Sequence, residues 1–108
     1  MIAVFVTFDS DSLDEERVRK VAVDARAMFE GMASLRNKFF TLDEKHNRAT
    51  NVYVWESEDA ARQFFSDQLL ERVTGLYGVR PQIEFAEIVE LVDNANPNAP
   101  RQVVERSG

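Results

Sequence analysis

Three side chains in the run NVYVWE could together face a small aromatic molecule. Asn51, Tyr53 and Trp55 alternate along it, so an extended backbone puts all three on one face. Arg36 and Lys38 stand in an earlier run, SLRNKFFTL, which a hairpin would set beside the first. An apolar, aromatic wall with a few convergent polar groups is the usual make-up of a small-molecule site. A cation facing that wall lowers the pKa of a bound phenol by charge pairing. The phenolate is electron-rich enough to react with dioxygen directly, without metal or flavin. In this scheme Lys38 and Trp55 are the catalytic candidates. Tyr53 completes the wall, Asn51 hydrogen-bonds the substrate, and Arg36 shares with Lys38 the stabilisation of its anion. The same aromatics also read as ordinary strand packing. Both readings stand, because the pattern leaves open which strand face meets the helices and whether Lys38 and Trp55 share it.

Other chemistries find little support. The chain has no cysteine, which removes disulfides, thiolate metal sites and a cysteine nucleophile. His46, the single histidine, sits among Asp43, Glu44, Lys45 and Asn47 in a polar connection and reads as a solvated loop residue, so no metal site is expected. None of the four glycines forms a phosphate-binding pattern, and no serine sits in a nucleophile elbow. Glu84, Glu87 and Glu90 read as a solvated or rim edge rather than an acid–base pair. No cofactor is expected. The net charge of −6, with basic residues scattered, argues against nucleic acid. No apolar run is long enough to span a membrane, and Met1-Ile2-Ala3-Val4 does not open a signal peptide, so cytoplasmic residence is expected.

The elements that must position these residues follow from periodicity. Residues 2–8, IAVFVTF, predict a central strand. Ser12 with Glu15 fits a capping box ahead of a helix carrying Val18, Val21, Ala22, Ala25, Phe29 and Met32, with Gly31 at its end. Residues 34–42 predict a second strand, with Leu35, Asn37, Phe39 and Thr41 on one face and Arg36, Lys38, Phe40 and Leu42 on the other. Residues 50–56 predict a third. Ser57 caps a second helix through Phe64, Phe65, Leu69 and Val73, broken by Gly75 and Gly78, and residues 82–93 predict a long last strand.

The order βαββαβ is that of an α+β, ferredoxin-like fold: a four-stranded antiparallel sheet with two helices on one face. Most strands carry large apolar residues on both faces, so the uncovered face should be buried too, most economically against a second copy in a two-fold homodimer. Residues 1–93 form the expected domain. The tail from residue 94 to 108, NANPNAPRQVVERSG, changes composition sharply and is expected to pack on the partner chain, with residues 102–105 as a short strand.

Several motifs have a family counterpart. They are Gly-x-x-x-Leu-x-x-Lys at Gly31, Leu35 and Lys38, Tyr-x-Trp-Glu-Ser at Tyr53 to Ser57, Phe64-Phe65, and Tyr-Gly-x-x-Pro at Tyr77, Gly78 and Pro81. With these the chain resembles the YdhR-like monooxygenase family of the dimeric α/β-barrel superfamily over about residues 1–93. The resemblance implies two ferredoxin-like protomers paired sheet to sheet, with a pocket between sheet and helices in each. It implies an activity on polycyclic phenols that uses dioxygen and no prosthetic group, with Lys38 as the basic strand residue. Haem-degrading relatives need a suitably placed histidine, and His46 in its hairpin does not supply one. The alternative is a non-catalytic dimeric barrel that binds ligands or serves a stress response.

Overall fold

A computed structural model of the chain describes residues 1–95. In order it contains β1 (Ile2–Asp9), α1 (Glu15–Phe29), β2 (Leu35–Asp43), a single 3-10 turn, β3 (Arg48–Trp55), α2 (Glu58–Phe64), α3 (Asp67–Tyr77) and β4 (Gln82–Glu87). The strands form one sheet in the order β2-β3-β1-β4, and every neighbouring pair is antiparallel. This is the expected ferredoxin-like sheet.

Alternation along β1 and β3 decides which face the helices cover. Ile2, Val4, Val6 and Phe8 lie opposite Trp55, Tyr53, Asn51 and Ala49, and all eight are buried. Val18 of α1, Ala61 of α2 and Tyr77 of α3 close over them in one cluster. At its centre the Phe8 and Tyr77 rings stack with centroids 3.7 Å apart. The other face carries Phe5 and Phe39, which stay 37% and 52% exposed.

Four details differ from the pattern-based expectation, each for a local reason. The N-cap of α1 is Asp14, not Ser12: the Asp14 carboxylate accepts from the Glu16 and Arg17 amides, while Ser12 Oγ turns to Ser10 Oγ at 2.8 Å. A short carboxylate directly before the first turn is a strong cap and meets the helix dipole favourably. The helix expected after Ser57 is two helices, making three in all. It breaks at Phe65, and Ser66 Oγ accepts from the Leu69 amide to start α3. The last strand stops at Glu87 rather than running to residue 93, because its partner runs out: Glu87 pairs with Ile2 at the very start of β1. Finally, a β-bulge at Arg36 shifts the register of β2 between Leu35, opposite Trp55, and Asn37, opposite Val54. The extra residue puts Leu35 on the helix-covered side with Lys38, Phe40 and Leu42, not with Asn37 and Phe39.

Gly31 follows the end of α1 with φ of 72°, a left-handed conformation that costs glycine nothing and turns the chain toward β2. The expected tail lies almost entirely outside the described residues, as do its strand at 102–105 and its packing on a partner. Among the described residues no helix is long and apolar enough to cross a membrane.

Candidate functional site

Lys38 and Tyr53 are Cα partners across β2 and β3, so their side chains rise side by side on the helix-covered face. Lys38 Nζ donates to Tyr53 Oη at 2.6 Å. It also lies 3.5 Å from the centre of the Phe29 ring and 4.3 Å from that of Phe40. Phe29 is the last residue of α1, and Phe40 lies two positions further along β2. The amine is thus enclosed by rings from a helix and two strands.

No carboxylate joins it among the described residues. Burial draws the Lys38 pKa down to about 7, because the ammonium loses hydration that no anion replaces. The Phe29 and Phe40 ring faces oppose that loss through cation–π attraction. Burial, and the nearby Tyr77 hydroxyl, raise the Tyr53 pKa well above the usual phenol range. At neutral pH Tyr53 is therefore a protonated phenol beside an amine that gives up its proton far more readily than an exposed lysine.

Lys38 lines a cleft of about 520 Å³ between α1 and β2. Its apolar wall is Ala22, Val23 and Phe29 from α1 with Leu35 and Phe40 from β2. Its polar groups are Arg26, Glu30, Arg36, Asn37 and Lys38. Arg26 is bound to Glu30 at 2.9 Å, whereas Arg36, aimed here by the bulge, has no ion pair among the described residues. That volume lies within the range of pockets for small organic ligands.

The five residues singled out in the sequence therefore separate. Lys38 and Arg36 line the cleft, and Tyr53 lies just behind Lys38, bonded to it. Trp55 shares the sheet face with Lys38 but is 2% exposed and packed under Phe64 and Phe65, at centroid distances of 5.1 and 6.4 Å. Its indole Nε1 has no hydrogen-bond partner among the described residues. Asn51 is buried, and its amide donates to Tyr77 Oη at 3.1 Å. Burial raises the Tyr77 pKa, with the Asn51 bond pulling weakly the other way.

Two participants were not picked out from sequence. Phe40 has the same strand parity as Lys38, a signal that was present. Phe29 gave none, since its approach to Lys38 depends on how α1 crosses the sheet. His46 Nδ1 bonds the Asp43 carboxylate at 2.8 Å in the exposed turn before β3. Among the described residues no group of three or more His, Cys, Asp or Glu side chains could hold a metal ion.

No family model matches the chain, and no curated protein does either. Solved structures do. A candidate antibiotic biosynthesis monooxygenase from Bordetella bronchiseptica superposes with a TM-score of 0.61 at 20% identity, covering 82% of this chain and 96% of its own. A second candidate of that description, from Deinococcus radiodurans, gives 0.64 at 11% identity over 86% and 97%. A monooxygenase from Streptomyces coelicolor, solved with the ligand nanaomycin D, gives 0.60 at 19% identity over 98% and 92%. At such identities the shared property is the fold, and this chain has the ferredoxin-like fold of the antibiotic biosynthesis monooxygenase proteins.

Proposed function

We propose that the α1–β2 cleft binds a hydroxylated aromatic small molecule and that the protein is a cofactor-independent monooxygenase acting on it. The observation that carries this reading is the Lys38 amine, held on the cleft wall with no counter-ion and a pKa of about 7. Such a group is suited both to take a phenol's proton and to pair with the phenolate it creates. The setting supports an anionic ligand as well. The whole chain carries a net charge of −6, yet the cleft gathers Arg26, Arg36 and Lys38 against one acid, Glu30.

The chemistry closes without a further redox partner. Lys38 takes the phenolic proton, and the phenolate carbon gives electrons to dioxygen and forms a C–O bond. The ammonium returns its proton to the distal peroxide oxygen. The O–O bond then breaks, and the C–H proton and distal hydroxyl leave as water. One oxygen atom stays in the product as a quinone carbonyl. The Streptomyces coelicolor neighbour, which has the same fold and holds a small ligand, supports a ligand-binding role for this architecture.

Oxygen uptake with a panel of hydroxylated naphthalenes and anthrones tests the reading. The expected result is turnover by the wild type and a loss of about 10²-fold or more in kcat for Lys38→Met, the scale of general-base catalysis. Unchanged turnover in Lys38→Met would overturn the role of Lys38. Saturable binding with no oxygen consumption would leave the non-catalytic ligand-binding barrel instead.

The same reading carries a homodimer of the YdhR-like type, resident in the cytoplasm. Phe5 and Phe39 stand exposed on the sheet face opposite the helices, with Val52 between them on the strand that separates theirs. A second copy packed sheet to sheet would bury that face and form the dimeric α/β barrel.

A further inference from the structure

Three features outside the oxygenase scheme invite a role: the hollow around Leu70 and Arg80, the orphaned Trp55 indole, and the nucleophilic side of the Lys38 amine. The hollow is lined mainly by exposed Asp67, Glu71 and Arg80 and holds no buried polar group. The indole is enclosed by core rings and does not reach the cleft. Lys38 is different, because its surroundings suit a covalent reaction that needs no oxygen.

We propose that Lys38 is a carbonyl-capturing nucleophile, forming an imine with an aromatic aldehyde or ketone held in the α1–β2 cleft, with the Tyr53 hydroxyl as proton relay. Three observations support this. Lys38 lines a cleft large enough for a bicyclic ligand, and the rings against its Nζ, Phe29 and Phe40, line that cleft too. Drawn as a neutral amine, it spends one N–H on Tyr53 Oη at 2.6 Å, which leaves its lone pair free to attack. The Tyr53 hydroxyl keeps its own proton, since burial raises its pKa. An amine with a pKa of about 7 holds far more free base at neutral pH than an exposed lysine, for which it is roughly one part in 2,500. Desolvation in an apolar pocket is a recognised way to activate a lysine for Schiff-base chemistry.

The step balances. The nitrogen lone pair bonds to the carbonyl carbon and the π pair moves to oxygen. Tyr53 protonates that oxygen and recovers a proton from the nitrogen. The carbinolamine then loses its hydroxyl and the second N–H proton as water, leaving C=N. The charged or titratable groups around the amine are Tyr53 from β3, Arg26 and Glu30 from α1, and Arg36 from its own strand. Burial alone favours the neutral amine, and Glu30 is already engaged with Arg26.

The chain's composition makes the test clean, because it has only two other lysines, Lys20 and Lys45. Full-length protein is incubated with 2-hydroxy-1-naphthaldehyde under nitrogen, reduced with sodium cyanoborohydride, digested and mapped by mass spectrometry. At pH 7 the expected label at Lys38 exceeds that at Lys20 and Lys45 at least tenfold. Its rate should rise with a midpoint near pH 7, while theirs keeps climbing toward pH 10. Lys38→Arg should lose the site with the fold retained by circular dichroism. Tyr53→Phe should keep the label and slow its formation several-fold. Labelling of Lys38 no faster than of Lys20 or Lys45 would overturn the proposal, and an unchanged rate in Tyr53→Phe would overturn the relay. Dioxygen is absent throughout, so the outcome is independent of whether the protein is an oxygenase.

Discussion

Lys38 and Tyr53 face each other across the β2–β3 ladder, and the lysine nitrogen sits 2.6 Å from the tyrosine oxygen with no carboxylate beside it. A buried lysine is ordinarily paired with an acid. Here the neighbours are a phenol and two phenyl rings, which solvate an ammonium only in part. The protein thus tolerates a destabilising group at the wall of its cleft, and that group belongs to function more readily than to packing.

Stability should carry the mark of this arrangement. The folded Lys38 pKa, about 7, lies below its unfolded value of about 10.4, so between those limits the unfolded chain binds more protons. Stability then rises with pH across that window, and the cost is fully present below pH 7. Lys38→Met removes the charge and keeps most of the volume. It should be more stable than wild type at pH 6, by on the order of 2 kcal/mol after allowing for the ring contacts and partial exposure. The gap should close toward pH 10.5. Urea melts of both proteins at pH 6, 8 and 10 measure it, and a gap that does not shrink with pH contradicts the buried ammonium.

The Phe8–Tyr77–Asn51 group should be the most sensitive part of the core. Phe8 is wholly buried and stacked on Tyr77, whose hydroxyl accepts from the Asn51 amide. Phe8→Ala should cost about 3–5 kcal/mol through lost burial and a residual cavity. Tyr77→Phe keeps the stack but strands the buried amide, costing about 1–3 kcal/mol. Denaturant unfolding orders the two. A Tyr77→Phe cost near zero would mean that Asn51 is satisfied elsewhere, and would free it for the ligand-binding role its position on the strand first suggested.

The architecture was legible in the sequence because its signals are local and repeated. The β-branched runs of β1 and β3, the acidic helix starts and Gly31 each name their element without help from the rest of the chain. What escaped depends on a partner. β4 ends where β1 begins, and Leu35 changes face because Arg36 bulges against β3; neither shows in the strand's own alternation. The site divides in the same way. Lys38 and Arg36 could be picked by type and hairpin placement. The burial of Trp55 under Phe64 and Phe65 required knowing that α2 ends directly above it. The seating of Phe29 on Lys38 required the crossing of α1, a distance no periodicity encodes.

Helix capping offers a direct contest between two neighbouring residues. Asp14 accepts two first-turn amides, whereas Ser12 bonds Ser10. Asp14→Ala should cost about 1 kcal/mol and Ser12→Ala a few tenths at most. Ser66→Ala should cost about as much as Asp14→Ala, since Ser66 Oγ starts α3 at the break after α2. Thermal melts of the three variants rank them, and a Ser12→Ala penalty equal to that of Asp14→Ala would mean the helix begins two residues earlier.

The exposed sheet face gives the last prediction. Phe5 and Phe39 are not cross-strand partners of each other. Each instead lies opposite Val52, so the three residues form an apolar row across β1, β3 and β2. Phe39 is half exposed in the single chain, and isolated phenylalanines at the surface are common enough to need no explanation. A row spanning three strands is different, because its area is contiguous and a second copy covers it at once. Wild-type protein should therefore sediment as a dimer at micromolar concentration. Phe39→Glu places a charge within that contact and should shift the protein to monomer, weakening association at least a hundredfold. Since Phe39 points away from Lys38, the monomer should keep its fold and should still label Lys38 with an aromatic aldehyde. A wild type that sediments as a monomer leaves the row without a partner copy, while loss of Lys38 labelling in a folded Phe39→Glu monomer would show that the cleft depends on the second chain.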